Sequence, residues 1–118
     1  MKKINIVKDS EEFTRIIHNI KPFRAKGYLI FIEKVKVPNY QFGITISNKV
    51  GKAVIRNRVK RQIKSIIDKN NYQNNFKCII IIKKDILEKD YHTLEKEFNE
   101  YFLKCAIMEE QKWIDLKN

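Results

Sequence analysis

Residues Cys78 to Ile82, CIIII, form a continuous apolar run with no polar alternation. Such a run suits a strand buried at the centre of a sheet rather than one with a wet face. A central strand needs neighbours, and two earlier segments have the composition for it. Tyr28 to Val37 (YLIFIEKVKV) and Gln41 to Ser47 (QFGITIS) are rich in β-branched and aromatic residues. They flank Pro38-Asn39, a turn signal, so the pair reads as a β-hairpin. Apolar and polar residues alternate late in each segment, which implies that one sheet face is covered.

Helical spacing supplies the cover. Asp9 and Ser10 can cap a first helix, with Glu12 placed for a capping box behind Asp9; Phe13, Ile16, Ile17 and Ile20 recur at helical intervals before Pro22 ends it. After Gly51 a long helix is expected from Lys52 to about Asp68, followed by the loop NNYQNN. From Tyr91 to Met108 the residues Leu94, Phe98, Tyr101, Phe102 and Cys105 fall on one face of a final helix that covers the sheet. The order is helix, strands, helix, strand, helix, an α/β sandwich. The chain has 118 residues, no internal repeat and no Pro/Gly/Ser-rich linker, so one domain over 1–118 is expected. Cys78 and Cys105 lie among core-like neighbours rather than in a Cys/His cluster, and both are expected as reduced, buried thiols.

Charge narrows the function. Lys and Arg number 25 against 14 acids, a net charge of +11, on a chain whose 43% hydrophobic content requires a folded core. A folded, strongly basic domain points to a polyanion, most often nucleic acid, with an anionic membrane surface the weaker option. No apolar run approaches the roughly 20 residues that span a bilayer. The N-terminal MKKINIVKDSEEF has no apolar core of a secretory signal, so the cytosol is the expected compartment. Between Lys34 and Ile67 there is no Asp or Glu, yet Lys34, Lys36, Lys49, Lys52, Arg56, Arg58, Lys60, Arg61 and Lys64 lie there. From Asp85 to Asn118, nine acids face five lysines. One side of the molecule is therefore the binding side.

The informative stretch is Gly51 to Lys64, GKAVIRNRVKRQIK. At about 100° per residue, Ile55, Val59, Ile63, Ile66 and Ile67 share a stripe, and Asn57, Arg58, Lys60, Arg61 and Lys64 spread over the opposite face. Arg56 falls at the border, where its stem can lie along apolar surface and its guanidinium can enter a groove beside the sheet. The planar fork of arginine matches phosphate bidentately. Asn57 can hydrogen-bond a phosphate, a 2′-hydroxyl or a metal-bound water. The helix N-terminus with Ser47-Asn48-Lys49 is a further anion site. Spacing alone leaves this helix as an RNA site, a DNA site or a solvated face.

The run FGITISNKVGKAVIRNRVKRQIK resembles the signature of the bacterial ribonuclease P protein component. That signature is a strand, a Ser and Lys loop, then Gly-x-Ala-Val-x-Arg-Asn-Arg-x-Lys-Arg, and Arg56, Asn57, Arg58, Lys60 and Arg61 all match. The resemblance extends over almost the whole chain. It implies a single-domain, two-layer α/β (α+β) sandwich, α-β-β-β-α-β-α, with a left-handed βαβ crossover and a relation to a ribosomal protein domain. It also implies a protein subunit of ribonuclease P. Such a subunit joins a catalytic RNA that cuts the 5′ leader from precursor tRNA with bound Mg²⁺, raising the affinity for substrate and metal. On this analogy Lys49, Lys52, Arg56, Asn57, Arg58, Lys60, Arg61 and Lys64 face the RNA. Phe13, Ile17 and Phe31 match positions of a leader groove between the first helix, the sheet and the long helix, where aromatics stack unpaired bases without demanding a sequence. Four positions depart from the family pattern. Asn48 stands for a frequent second Lys, Lys64 and Lys83 for frequent Arg residues, and Ile17 for an aromatic. The N-terminal basic arm is short, with Lys2, Lys3 and Lys8.

Three other functions compete. A protein nuclease gathers carboxylates, or a His and a nucleophile, beside its groove. The basic third has no acid and no His, and His18 and His92 are isolated, so no catalytic residue is assigned to the protein. A ribosomal or assembly protein fits the same charge map but does not require the Arg-Asn-Arg pattern. A DNA-binding regulator needs a second short helix at helix-turn-helix offset, which the sequence lacks, so DNA is not an expected partner.

Overall fold

The computed structural model describes residues 1–109. The last part of the expected 1–118 domain, residues 110–118, lies outside the described residues. The elements are α1 (Ser10–Asn19), β1 (Phe23–Ala25), β2 (Tyr28–Lys34), β3 (Tyr40–Ile46), α2 (Ala53–Asp68), β4 (Phe76–Ile82) and α3 (Tyr91–Lys104). This is the α-β-β-β-α-β-α order that the resemblance implies. The short β1 is absent from the residue-by-residue reading, because three residues carry too little pattern to register.

The sheet order is β1-β2-β4-β3. β4 is central, antiparallel to β2 and parallel to β3. The expected hairpin between the segments that become β2 and β3 therefore does not form. Lys34 at the end of β2 and Tyr40 at the start of β3 both pair with Phe76, so β4 lies between them. The intervening link crosses the entrance to β4, where Val35 N–H donates to the Asn75 carbonyl at 2.9 Å and Asn75 N–H to the Asn39 carbonyl at 2.8 Å. The physical reason is burial. β4 is apolar on both faces, and the slot that removes both faces from water is the one with a strand on either side.

Register sorts the side chains. On one face Tyr28, Ile30, Phe42, Phe76, Cys78, Ile80 and Ile82 meet Val59, Ile63, Ile66 and Ile67 of α2 and Leu94, Phe98 and Phe102 of α3 in one buried cluster. This is the sandwich interface, and each fully buried side chain contributes about 1.5–3 kcal/mol of transfer free energy. On the other face Phe31 and Ile79 pack with Ile16 of α1 and with Val7, joined by half-buried Phe13, Ile17, Leu29 and Ile81. The turn from β1 to β2 needs glycine: Gly27 has φ +92°, and a β-carbon there would lie 2.7 Å from the Ile86 amide nitrogen.

Two helix ends depart from expectation. Asp9 caps α1 by accepting the Glu11 N–H at 2.9 Å, but Glu12 does not complete the capping box. Its carboxylate pairs with the Lys77 ammonium of β4 and lies 3.7 Å from Arg15. A largely buried ammonium needs a carboxylate more than a solvated backbone N–H does. α3 stops at Lys104 rather than Met108. Ala106 takes a left-handed φ of 57°, and its N–H donates to the Leu103 carbonyl while that of Ile107 donates to the Phe102 carbonyl. This Schellman closure turns the chain and sends Ile107 into the core. Both cysteines are free; Cys78 is buried as expected, whereas Cys105, at that turn, is half-exposed.

Candidate nucleic-acid interface

α2 is amphipathic in the way its sequence requires. Val59, Ile63, Ile66 and Ile67 are buried against the sheet and Ile55 is half-buried, while Asn57, Arg58, Lys60 and Arg61 are exposed on the other side and Lys64 lies at the border. Lys52 occupies the N-cap without a side-chain cap on the first turn, so the positive end of the helix dipole adds to the field there. Lys49 is exposed in a single 3₁₀ turn, Asn48–Val50, that joins β3 to α2.

The ion pairs divide the molecule. Arg15 grips Glu33 with both terminal nitrogens at 2.6 and 2.8 Å, holding that carboxyl below its ordinary range. Lys26 pairs with Glu88, Lys69 with Glu95, Lys77 with Glu12 and Lys89 with Glu97. Among the described residues, none of Lys49, Lys52, Arg56, Arg58, Lys60, Arg61 and Lys64 has a carboxylate partner. Glu12, Glu33, Glu88, Glu95 and Glu97 pair with cations outside this set, and the cations of α2 are left to external anions.

Arg56 differs from its neighbours. It is half-buried, its Nη1 donates to the Asn48 Oδ1, and its Nε is buried with no hydrogen-bond partner. Beside it Ile44, Thr45, Ile46, Asn57 and Lys60 line a cleft of about 270 Å³ between α2 and the β3 edge. This is the groove beside the sheet into which the sequence aims the guanidinium. A second concavity, of about 440 Å³, joins Ser47 and Lys49 to Lys83 and Lys84. Asp85 also lines it, and neither Lys83 nor Lys84 is among the residues expected to face RNA. The parallel register of β3 and β4, with Ser47 N–H donating to the Ile82 carbonyl at 2.9 Å, brings the two strand ends together. No local pattern announces that neighbourhood.

The three groove residues separate. Phe31 is 3% exposed and sits in the core beneath α1, whereas Phe13 and Ile17 are half-exposed along its flank. Phe13 lies over β3 at Gly43, where a β-carbon would collide with its ring. Because α1 and α2 lie on opposite faces of the sheet, a groove that touches both runs round the β3 edge. The N-terminal segment closes the start of that edge: Ile6 pairs with Phe42, and Val7 N–H donates to the Phe42 carbonyl at 2.9 Å. His18 and His92 are exposed, and no group of three or more His, Cys, Asp or Glu converges among the described residues.

A family model described as Ribonuclease P matches residues 1–106. A ribonuclease P protein component of Bacillus mycoides is 31% identical over 110 residues, covering 91% of this chain and 96% of that protein. One of Mycoplasma capricolum is 34% identical over 99 residues, covering 81% and 91%. Among solved structures, the Staphylococcus aureus RNase P protein superposes with a TM-score of 0.77 at 19% identity, over 91% of this chain and 100% of that one. The Thermotoga maritima RNase P protein gives 0.71 at 22% identity, over 80% and 92%.

Proposed function

The chain belongs to the ribonuclease P protein family, and from that membership we propose that α2 and the turn before it bind the catalytic RNA, while the flank of α1 meets the 5′ leader of precursor tRNA. The observation that carries this reading is the set of cations on α2 that lack carboxylate partners within the described fold. Phosphate contacts of Arg and Lys fix position without demanding sequence, which suits a subunit that serves many precursor tRNAs. Leader bases would rest on Phe13 and Ile17, whose half-exposed surfaces adjoin the β3 edge.

The chemistry of leader removal belongs to the RNA in this reading. Among the described residues no group of three or more His, Cys, Asp or Glu converges, and the Mg²⁺ of this reading is held mainly by the RNA. The chain lowers the repulsion between two RNAs, which reduces the Mg²⁺ needed to hold them together. The test is cleavage of a precursor tRNA by a bacterial ribonuclease P RNA at low Mg²⁺, with and without the chain. A large gain in cleavage at the mature 5′ end is expected. RNA binding with no gain would replace this reading with a structural RNA-binding module.

A further inference from the structure

We propose that Asn48 is a positioning residue for RNA binding, which holds the Arg56 guanidinium in one orientation beside the β3 edge without neutralising it. The inference rests on the RNA-binding role given above to α2. Its starting point is the contrast between Arg56 and the other cations of the helix. Arg58, Lys60 and Arg61 are exposed, and each must lose rotamer freedom when it meets a phosphate. The Arg56 side chain is already placed, with its stem half-buried, its Nε out of water and its Nη1 on the Asn48 amide oxygen.

The identity of the partner decides what this does. A carboxylate would orient the fork equally well but would cancel its charge and compete with phosphate. An amide oxygen accepts the hydrogen bond and leaves the full positive charge for an external anion. Asn48 is itself held. Ser47 Oγ accepts the Lys49 N–H at 3.2 Å, Gly51 N–H donates to the Asn48 carbonyl at 3.3 Å, and the same turn buries Val50 in the core. The guanidinium is thus tied through Asn48 to the sheet, and the cleft lined by Thr45, Asn57 and Lys60 lies beside it. A phosphodiester of the RNA is the chemical class that this arrangement takes.

The experiment is a double-mutant cycle on binding of the full chain to a ribonuclease P RNA, with Asn48→Ala, Arg56→Ala and the pair, together with Asn48→Lys. Asn48→Ala is expected to weaken binding about fivefold, the size of one ordinary net hydrogen bond, since the Arg56 charge itself stays in place. It should leave the salt slope and Tm unchanged and have no further effect once Arg56 is Ala. Asn48→Lys should also weaken binding despite its added charge, because an ammonium repels the guanidinium it replaces a partner for. Equal losses in both Arg56 backgrounds, or tighter binding with a steeper salt slope in Asn48→Lys, would overturn the proposal. A readout on the protein alone separates it from the RNA-binding reading. The Arg56 Nε–H resonance should be protected from solvent exchange in the free chain and lose that protection in Asn48→Ala; an unprotected resonance in the parent chain would overturn the positioning role whatever the RNA does.

Discussion

Phe31 shows what a single position can and cannot do in this fold. At 3% exposure, between Ile16 above and Ile79 beside it, the ring has no free face on which a base could stack. Phe31→Ala is therefore expected to cost about 3–5 kcal/mol of stability, the usual range for emptying a core phenylalanine site. Urea denaturation measures this directly. Phe13→Ala removes a half-exposed ring, and is expected to reduce the preference for precursor over mature tRNA with a smaller loss of stability. Equal binding losses for both tRNAs would return Phe13 to a packing role. The family resemblance matches both rings to one groove, but the sequence could not rank their exposure. That depends on how deep α1 sits over β3, which is set by the absence of a side chain at Gly43, in a strand distant from α1 in the sequence.

At the scale of elements, the helices were legible and the strand pairing was not. α2 was readable because its apolar stripe and its basic face both follow the helical period, so local propensity and tertiary burial agree. The sequence pairs β2 with β3 because a short Pro-Asn link between two β-rich runs is the ordinary hairpin signal. The competing strand, β4, arrives only after α2, and its claim on the central slot comes from burial on both faces. The end of α3 was missed for a related reason: Ala106 does not announce the left-handed turn that Gly would. Ala106→Gly should stabilise the chain by about 0.5–1 kcal/mol by relieving a β-carbon from a left-handed position, seen as a rise in Tm; a loss would mean that unfolded-chain entropy outweighs that relief. For α2, replacing both Arg58 and Arg61 with Ala should weaken binding to the catalytic RNA. The salt slope should fall by about two, roughly one per phosphate contact, while Tm holds because both side chains are exposed. Unchanged affinity would remove this face from the interface.

Across the whole molecule the same charges act with opposite sign on folding and on binding. The net charge is +11, and the pairs Arg56 with Lys60, Lys60 with Lys64, Arg58 with Arg61 and Arg61 with Lys64 stand at helical i,i+3 or i,i+4 spacing with no acid among them. Each such like-charge pair destabilises a helix by about 0.2–0.5 kcal/mol, so these four together cost on the order of 1–2 kcal/mol in the free chain. Added salt screens that repulsion, while the apolar contacts that hold α2 to the sheet do not depend on it. It also removes the entropic gain of counterion release, on which phosphate binding rests. Raising NaCl from about 50 to about 200 mM, the range over which several phosphate contacts lose their advantage, should therefore leave Tm unchanged or a few degrees higher. Over the same range, affinity for ribonuclease P RNA should fall steeply and linearly on logarithmic axes. Thermal melts and binding titrations in the same buffers read both quantities. Parallel losses would mean that salt acts by unfolding the chain, and a flat binding curve would mean that α2 does not contact phosphates.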